Sequence, residues 1–138
     1  VDVAMAADAD GVHLGRTDLP VSDARSIVGS GLIIGATAHN LDEAAAAIDA
    51  GADYLGIGAM FASQTKPDRE PAGVTLLQSV IDRWPPTHHL AIGGITPANI
   101  ASVRDAGGRG VAVCASICGA ENPAESAAAL AQPTVVPA

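Results

Sequence analysis

A unit of three parts repeats along the chain, and few folds can accommodate it: a short apolar run, a glycine-containing loop and an alanine-rich amphipathic stretch. The apolar runs predict five strands, at residues 11–15, 32–36, 54–58, 89–92 and 111–113. Because these runs lack a regular polar alternation, they are typical of strands that are buried on both faces. The sequence therefore predicts an α/β fold with a parallel sheet.

Helices are predicted between these strands. The amphipathic stretches lie at residues 21–28, 41–50, 74–84, 97–106 and 123–130, and residues 3–7 have the pattern of a helix end. Ser22 is a candidate cap for the first complete helix, and Asn40 is placed to cap the second. The chain is expected to form one domain over residues 1–138, with an irregular tail at 132–138.

Two architectures fit five such units. One is a complete doubly wound sheet, and the other is part of a (β/α)8 TIM barrel, which typically needs about 250 residues. The helix end at residues 3–7 implies a preceding strand, which favours the incomplete barrel. The first residue is Val1 rather than Met, so the chain is expected to be a fragment or a processed product. Unpaired sheet edges would then favour association with another chain.

The charge balance argues against several classes of partner. Fifteen acidic against seven basic residues give a net charge of −8 over 138 residues, which argues against a nucleic-acid or anionic-membrane surface. No apolar stretch reaches the roughly 18–20 residues of a membrane span. The two cysteines, Cys114 and Cys118, cannot form a disulfide framework, fit a reducing cytoplasm and are predicted to be buried packing groups.

The loop Gly93-Gly94 lies between a predicted strand and a predicted helix. Its backbone can approach a phosphate that the N–H groups of the helix would bind, although a tight turn without a ligand explains the same residues. In barrels, a phosphate often lies between the loops that follow the last two strands. Here these loops would be Gly93-Gly94 and Cys114-Ala115.

The longest loop, residues 59–71, carries a polar segment in an otherwise acidic protein. The hydroxyls of Ser63 and Thr65 and the ammonium of Lys66 suit a phosphate or a diphosphate. A plain solvated loop is the alternative interpretation.

Four further polar residues lie in or just after the first two strands. Asp18 could bind Mg²⁺ together with substrate phosphates, or could only stabilise a turn. Thr37 and His39 follow the second strand, and His39 could act as an acid or base or only cap a helix. His13 lies within the first strand and is predicted to be a satisfied core residue. Because parallel strands end at one edge of a sheet, Asp18, Thr37 and the loops above are expected to lie together.

The order and spacing of these residues resemble those of the thiamine-phosphate synthases. The matching segments are Ala9–Gly15 with Asp18, Gly35–His39, Gly51–Gly58, Thr65–Pro67, Ala91–Ile95 and Gly110–Ile117. The likeness covers about residues 1–128 and lacks the family's amino-terminal part, roughly its first three βα units. The resemblance implies a TIM barrel of which this chain holds strands four to eight with their helices.

This resemblance implies a transferase that joins hydroxymethylpyrimidine diphosphate to thiazole phosphate, giving thiamine phosphate and pyrophosphate, with Mg²⁺ as the cofactor. In that family the diphosphate leaves first, and the thiazole nitrogen captures the pyrimidine carbocation. By its match to the family's motifs, Asp18 would be a magnesium ligand. Lys66 would be a catalytic residue that contacts the diphosphate, and Thr37 would be a second one that contacts both the diphosphate and the pyrimidine. The resemblance further implies that the thiazole phosphate is bound by Ser63, Thr65, Gly93, Gly94, Cys114 and Ala115.

Several positions depart from the family pattern. Cys114-Ala115 stands in place of an Ile-Ser pair whose hydroxyl helps to bind thiazole phosphate, a loss of about 1 kcal/mol. Ala62-Ser63 replaces a Pro-Thr pair, and Arg16-Thr17 replaces a Gln-Glu pair. The missing part supplies pyrimidine contacts and a second magnesium carboxylate, so the isolated chain is expected to bind thiazole phosphate weakly and to be inactive. Completion by that part, or homo-oligomer formation, is the expected form of association.

Two other functions remain open at this point. In a related thiazole tautomerase, a histidine at the position of His39 would transfer a proton. A non-catalytic phosphate-binding half-barrel is the other alternative. Thr65-Lys66 favours the synthase, because a tautomerase has no diphosphate to hold.

Overall fold

The computed structural model describes residues 1–62 and 70–131. Its five strands are β1 Gly11–Leu14, β2 Ile33–Ala38, β3 Tyr54–Gly58, β4 His88–Ile92 and β5 Val111–Ala112. Its helices are α1 Asp2–Ala6, α2 Val21–Val28, α3 Leu41–Asp49, α4 Gly73–Arg83, α5 Ile100–Asp105, α6 Ala115–Cys118 and α7 Pro123–Ala131. The predicted tail at 132–138 lies outside the described residues.

All described strands pair in parallel, in the order β1-β2-β3-β4-β5. Right-handed crossovers that always step in one direction put the helices that connect successive strands, α2 to α5, on the same face of the sheet. A doubly wound sheet reverses this direction and carries helices on both faces, so the doubly wound alternative is wrong for this chain. The predicted α/β class with a parallel sheet is confirmed, and the winding is that of part of a (β/α) barrel.

The core lies between the sheet and this single layer of helices. Leu55 and Ile57 of β3 are fully buried, and they belong to the same cluster as Leu77 and Val80 of α4. Four alanines of β2 and α3 are buried in this core: Ala36, Ala38, Ala44 and Ala47. Small side chains allow a helix to approach the sheet closely, which is how a chain with 2% aromatic residues fills its core.

The other face of the sheet, here called the inner face, carries no described helix. The register pairs His13 with Gly35, Thr37 with Gly56 and Tyr54 with His88, which places these residues on the inner face. Apolar residues at both ends of this face are exposed to solvent, Ile33 by 53% and Ile92 by 37%. In a closed barrel this face would be the filled interior.

Helix boundaries follow local hydrogen bonds. Asn40 caps α3 as predicted, because its side-chain oxygen accepts the Glu43 N–H at 2.8 Å. Ser22 does not cap α2: the cap position is Pro20, and the Ser22 hydroxyl bonds the Asp23 carboxylate instead. The helix predicted from residue 97 begins only at Ile100, because Thr96–Asn99 forms a hydrogen-bonded turn. The four-residue α6 was not predicted, since it is too short to show helical periodicity.

Arg25 ties together the loops at the edge where the strands begin. Its guanidinium donates to the carbonyls of Gly29, Leu32 and Gly51 and to the Asp53 carboxylate, which it meets at 2.6 Å. The Asp53 carboxylate also accepts the Ile34 N–H at 2.7 Å. This backbone hydrogen bond is the largest influence on the pKa of Asp53 and lowers it. Burial of the carboxylate acts in the opposite direction, but the hydrogen bond and charge of Arg25 also lower the pKa, which therefore lies below its ordinary value.

None of the helices within residues 1–62 and 70–131 combines the length and apolar character that crossing a bilayer requires.

Replacing Arg25 with Ala is expected to lower the free energy of unfolding by about 2 kcal/mol, because several hydrogen bonds to a charged group are lost together. Urea denaturation at neutral pH measures this. The exposed Arg109, changed to Ala, is the matched control and should alter stability by less than about 0.5 kcal/mol. Equal effects of the two substitutions would contradict a stabilising role for this set of Arg25 hydrogen bonds, here called the Arg25 clamp.

The stabilising effect of Asp53 is expected to depend on pH. Its folded-state pKa lies below the ordinary value of 3.8, so its contribution is complete above that value and is lost as the pH falls through the folded-state pKa. The stability difference between the wild type and Asp53→Asn should therefore shrink on acidification from about pH 5 to about pH 2. A constant difference across this range would show that the Asp53 charge contributes nothing.

Candidate functional site

A cavity of about 780 Å³ opens at the edge where the strands end. This edge is where barrels and other parallel sheets bind their ligands. The cavity is lined by residues that follow all five strands: Gly15, Arg16, Thr17, Asp18, Thr37, His39, Gly58, Ala59, Ala62, Ile92, Gly93, Gly94, Ile95, Thr96, Ala112, Val113, Cys114, Ala115 and Ser116.

Six of the predicted site residues lie in this one cavity lining: Asp18, Thr37, Gly93, Gly94, Cys114 and Ala115. Thr37 is the last but one residue of β2 rather than a loop residue, which fixes its position in the sheet. The other three, Ser63, Thr65 and Lys66, fall outside the described residues. For these six described residues, the expectation that separate loops converge on one edge agrees with the geometry.

Asp18 has a structural task as well as a place in the cavity. Its Oδ2 accepts the Gly15 N–H at 2.6 Å, which closes the turn after β1. Arg16, in the same turn, also lines the cavity and is exposed. Among the described lining residues Arg16 is the one lysine or arginine, so it adds positive charge that the sequence did not predict for the site.

His39 lies at the cavity wall, directly before the cap of α3. Its ring Nδ1 is 3.0 Å from Glu43 Oε2, and its backbone N–H donates to the same oxygen at 2.9 Å. Burial acts to raise the pKa of Glu43, but the hydrogen bonds from His39 and the charges of His39 and Arg16 together hold that pKa below its ordinary value. The arrangement is that of a helix start, the simpler of the two interpretations of His39.

Gly93 and Gly94 are packed against the loop that follows β3. Both have positive φ, of 96° and 66°, and a Cβ on Gly94 would lie 2.6 Å from the carbonyl oxygens of Phe61 and Ala62. Backbone hydrogen bonds join the same two loops, from Met60 N to Ile92 O and from Phe61 N to Gly93 O. Glycine is therefore required here by backbone packing, whether or not a ligand binds.

The Gly93-Gly94 loop is also held from its other side. Asn99 donates from Nδ2 to the Gly94 carbonyl at 2.9 Å and accepts the Thr96 N–H at 2.8 Å. These bonds fix the loop against the start of α5, so the cavity wall is formed before any ligand arrives.

The prediction that both cysteines are buried packing groups is wrong. Cys114 and Cys118 are exposed, because they flank or end the short α6 outside the core. Ser116, which the sequence reading missed, lies between them and lines the cavity. Its hydroxyl donates to the Ile95 carbonyl, and its own carbonyl accepts the Ser126 hydroxyl at 2.5 Å. The short helix is thus tied both to the loop after β4 and to α7.

His13 is not the core residue that was predicted. It is exposed on the inner face, with Nδ1 3.0 Å from the Tyr54 hydroxyl and Nε2 2.8 Å from the Thr37 hydroxyl. Partial desolvation of the ring lowers the pKa of His13, and the Asp18 carboxylate opposes this. The neighbours Val12 and Leu14 face the helices, so strict alternation along β1 was the signal that could have placed His13 correctly.

Potential metal ligands are scattered rather than clustered in the part of the chain that the structure describes. Across residues 1–62 and 70–131, no three His, Cys, Asp or Glu side chains are grouped so that they could hold a metal ion. Asp18 is the carboxylate that the described cavity lining offers.

Comparisons with known proteins agree on one family. A family model described as thiamine monophosphate synthase matches residues 1–117. A thiamine-phosphate synthase of Chloroflexus aurantiacus is 48% identical over 88% of this chain and 56% of its own length. A thiamine-phosphate synthase of Haloarcula marismortui is 47% identical over 94% of this chain and 63% of its own length.

A solved structure gives the same result. Thiamine phosphate pyrophosphorylase from Pyrococcus furiosus superposes with a TM-score of 0.84 at 39% identity, covering 94% of this chain and 61% of that one. A thiamine-phosphate synthase of Synechococcus matches 96% of this chain but only 37% of its own length. The chain therefore spans between about a third and two thirds of the length of these relatives.

Changing Gly94 to Ala is expected to cost more stability than changing Gly29 to Ala. Gly29 also has a positive φ, of 58°, but nothing lies within 4 Å of the position of its Cβ. Gly29→Ala should therefore lower the free energy of unfolding only through backbone strain, by about 1–2 kcal/mol. Gly94→Ala should lower it by roughly a further 1–3 kcal/mol, because the new Cβ clashes with the neighbouring loop. Urea denaturation measures both, and equal losses would contradict the packing described here.

Both cysteines are expected to react quickly with a thiol reagent in the folded protein, because both are exposed. Reaction with an aromatic disulfide reagent should release two equivalents of the aromatic thiol per chain. The rate should be within a small factor of the rate measured for the urea-unfolded chain. A native rate slower by a factor of ten or more at either thiol would contradict the exposed position of α6.

Proposed function

This chain belongs to the thiamine monophosphate synthase family, and we propose that it acts as a thiamine-phosphate synthase-like transferase. The reaction joins hydroxymethylpyrimidine diphosphate to thiazole phosphate and releases pyrophosphate. The observation that carries the proposal is that six residues matched to the family's site line one cavity at the ligand-binding edge of the sheet. The chain spans only part of its relatives' length, so activity requires the remainder of the barrel.

The first step is departure of the diphosphate from the pyrimidine. Thr37 offers a hydroxyl at the end of β2, where it can contact both the pyrimidine and the leaving group. Lys66 is the proposed charged partner of the diphosphate, and as a compact cation it would stabilise the charge that develops there. Arg16, which lines the cavity, would add to this positive potential.

The second substrate is captured by its phosphate. Gly93, Gly94, Cys114 and Ala115 follow β4 and β5, the two adjacent strands between which barrels often bind phosphate. Ser63 and Thr65 would add hydroxyl donors from the long loop. Fixing the phosphate holds the thiazole nitrogen in line with the pyrimidine carbon, which replaces a bimolecular encounter by an oriented one.

The carboxylate of Asp18 in the cavity lining fits a Mg²⁺ ion that substrate oxygens would bind for the most part. Mg²⁺ is usually held by one or two carboxylates together with phosphates and water, and Asp18 provides one such carboxylate in the cavity lining. When bound, the metal would neutralise charge on the leaving diphosphate. A site made of protein ligands alone does not fit, since no larger group of ligands is present among the described residues.

The proposed place of this chain in the barrel is strands four to eight. Its β1 to β5 wind in one direction, and its inner face exposes Ile33 and Ile92, as expected of a barrel wall that another segment covers. The family's amino-terminal part, or a second copy of the chain, would supply this cover. A cytoplasmic location is proposed with the biosynthetic role, without nucleic-acid or membrane partners.

The experiment that tests the function is release of pyrophosphate with the missing part supplied. The purified chain is mixed with a separately expressed polypeptide carrying the family's first three βα units, both substrates and Mg²⁺. Pyrophosphate release that needs thiazole phosphate and Mg²⁺ supports the synthase. Turnover of a thiazole substrate without the pyrimidine would instead indicate the tautomerase, and binding without any release would indicate a phosphate-binding half-barrel.

Two substitutions of Asp18 are expected to separate its structural and chemical tasks. Asp18→Asn keeps an oxygen for the Gly15 N–H, so its stability should stay close to that of the wild type, whereas Asp18→Ala should lose about 1 kcal/mol. Both should slow Mg²⁺-dependent pyrophosphate release at least about tenfold, because both remove the carboxylate charge. Full activity of Asp18→Asn would contradict a metal-ligand role.

A further inference from the structure

Three polar side chains on the inner face form a hydrogen-bonded row beneath the cavity, here called the inner-face network: Tyr54, His13 and Thr37. Tyr54 Oη lies 3.0 Å from His13 Nδ1, and His13 Nε2 lies 2.8 Å from Thr37 Oγ1. Of the three, Thr37 lines the cavity. The row therefore connects the sheet's inner face to the one hydroxyl that the proposed function places beside the diphosphate.

The sheet is shaped to hold these rings. A Cβ on Gly35 would overlap the Tyr54 ring and would lie 2.5 Å from His13 Nδ1. A Cβ on Gly56 would lie 2.9 Å from His13 Cε1. Two strand glycines that would otherwise weaken the sheet are thus explained by the space that His13 and Tyr54 occupy.

The chemistry of the two hydroxyls sets the direction of the hydrogen bonds. A neutral imidazole donates from one nitrogen and accepts at the other. A phenol is more acidic than an alkyl alcohol and is the stronger donor, so the favoured pattern has Tyr54 donating to Nδ1 and His13 Nε2–H donating to Thr37 Oγ1. The Thr37 hydroxyl proton is then left to donate elsewhere. Ring desolvation, which lowers the pKa of His13, favours the neutral imidazole that this pattern needs.

We infer that His13 is a positioning residue. Tyr54 holds its ring as the Nε2–H tautomer, and this N–H donates a hydrogen bond to the Thr37 oxygen. The Thr37 hydroxyl proton is thereby directed toward an anionic ligand in the cavity. The inference deepens the proposed function and rests on it, since it assumes that the cavity binds a diphosphate. His13 itself touches no ligand in this scheme. Its effect passes through Thr37.

The tautomer is tested first, in the whole 138-residue chain. Nitrogen NMR of the labelled protein distinguishes an imidazole that carries its proton on Nε2 from one that carries it on Nδ1. The expected result is Nε2–H for His13 in the wild type and loss of that preference in Tyr54→Phe. A proton on Nδ1 in the wild type overturns the inference, whatever the function of the protein.

The effect on ligand binding is tested with inorganic pyrophosphate, followed by phosphorus NMR, on the chain mixed with the polypeptide that carries the family's first three βα units. Asparagine mimics Nδ1 of histidine and glutamine mimics Nε2, so the two amides form a matched pair at position 13. His13→Asn and Thr37→Val should each weaken binding about tenfold, the scale of one hydrogen bond to a charged group. His13→Gln should recover most of the affinity, and the double variant His13→Asn with Thr37→Val should bind no more weakly than Thr37→Val alone.

His88→Asn is the control, because His88 lies on the same inner face, opposite Tyr54 in the sheet register, and takes no part in the row. It should bind pyrophosphate like the wild type. The inference is overturned if His13→Asn binds pyrophosphate as tightly as the wild type, or if His13→Asn and His13→Gln lose the same affinity. Either result leaves the proposed function standing. A wild-type chain that does not bind pyrophosphate even with the polypeptide carrying the first three βα units supplied overturns the proposed function, and the inference with it.

Discussion

Parallel pairing of each strand with the next one along the chain is the constraint on which the rest of the structure depends. It puts all five strand ends at one edge, so that loops distant in sequence share the lining of one cavity. It also directs the connecting helices α2 to α5 to one face, and strand glycines on the other face leave room for the ring of His13. The position of the apolar core on one side of the sheet and that of the His13 ring on the other therefore follow from the same backbone hydrogen bonds.

The sequence predicts the elements well because their signals are local. Glycines after helices, the Asn40 cap and the apolar runs mark boundaries within a few residues, and the structure confirms the strands and the parallel class. What the sequence could not supply is which face a residue takes. His13 is surrounded by apolar neighbours along the chain, but its partners Thr37 and Tyr54 come from other strands, 24 and 41 residues away. The exposed cysteines were misjudged for the same reason, since burial depends on what packs over a short helix.

Several cavity residues have two tasks at once. Asp18 closes a turn and is also the carboxylate of the proposed metal site, and Gly94 fits against a neighbouring loop in the wall of the proposed phosphate site. A substitution at either position changes packing as well as chemistry. Loss of activity alone therefore says little about a residue's role here, and variants that keep one task while removing the other are the informative ones.

The Arg25 clamp and the cavity lie at opposite ends of the same strands. β3 has five residues, so roughly 15 Å of strand separates the two edges, more than a Debye length at physiological ionic strength. Charges at one edge are consequently screened from those at the other. A protein built in this way can gain or lose robustness by exchanging residues around Arg25 without retuning its ligand chemistry. Such a division gives selection two nearly independent places to act, one for heat tolerance and one for substrate choice.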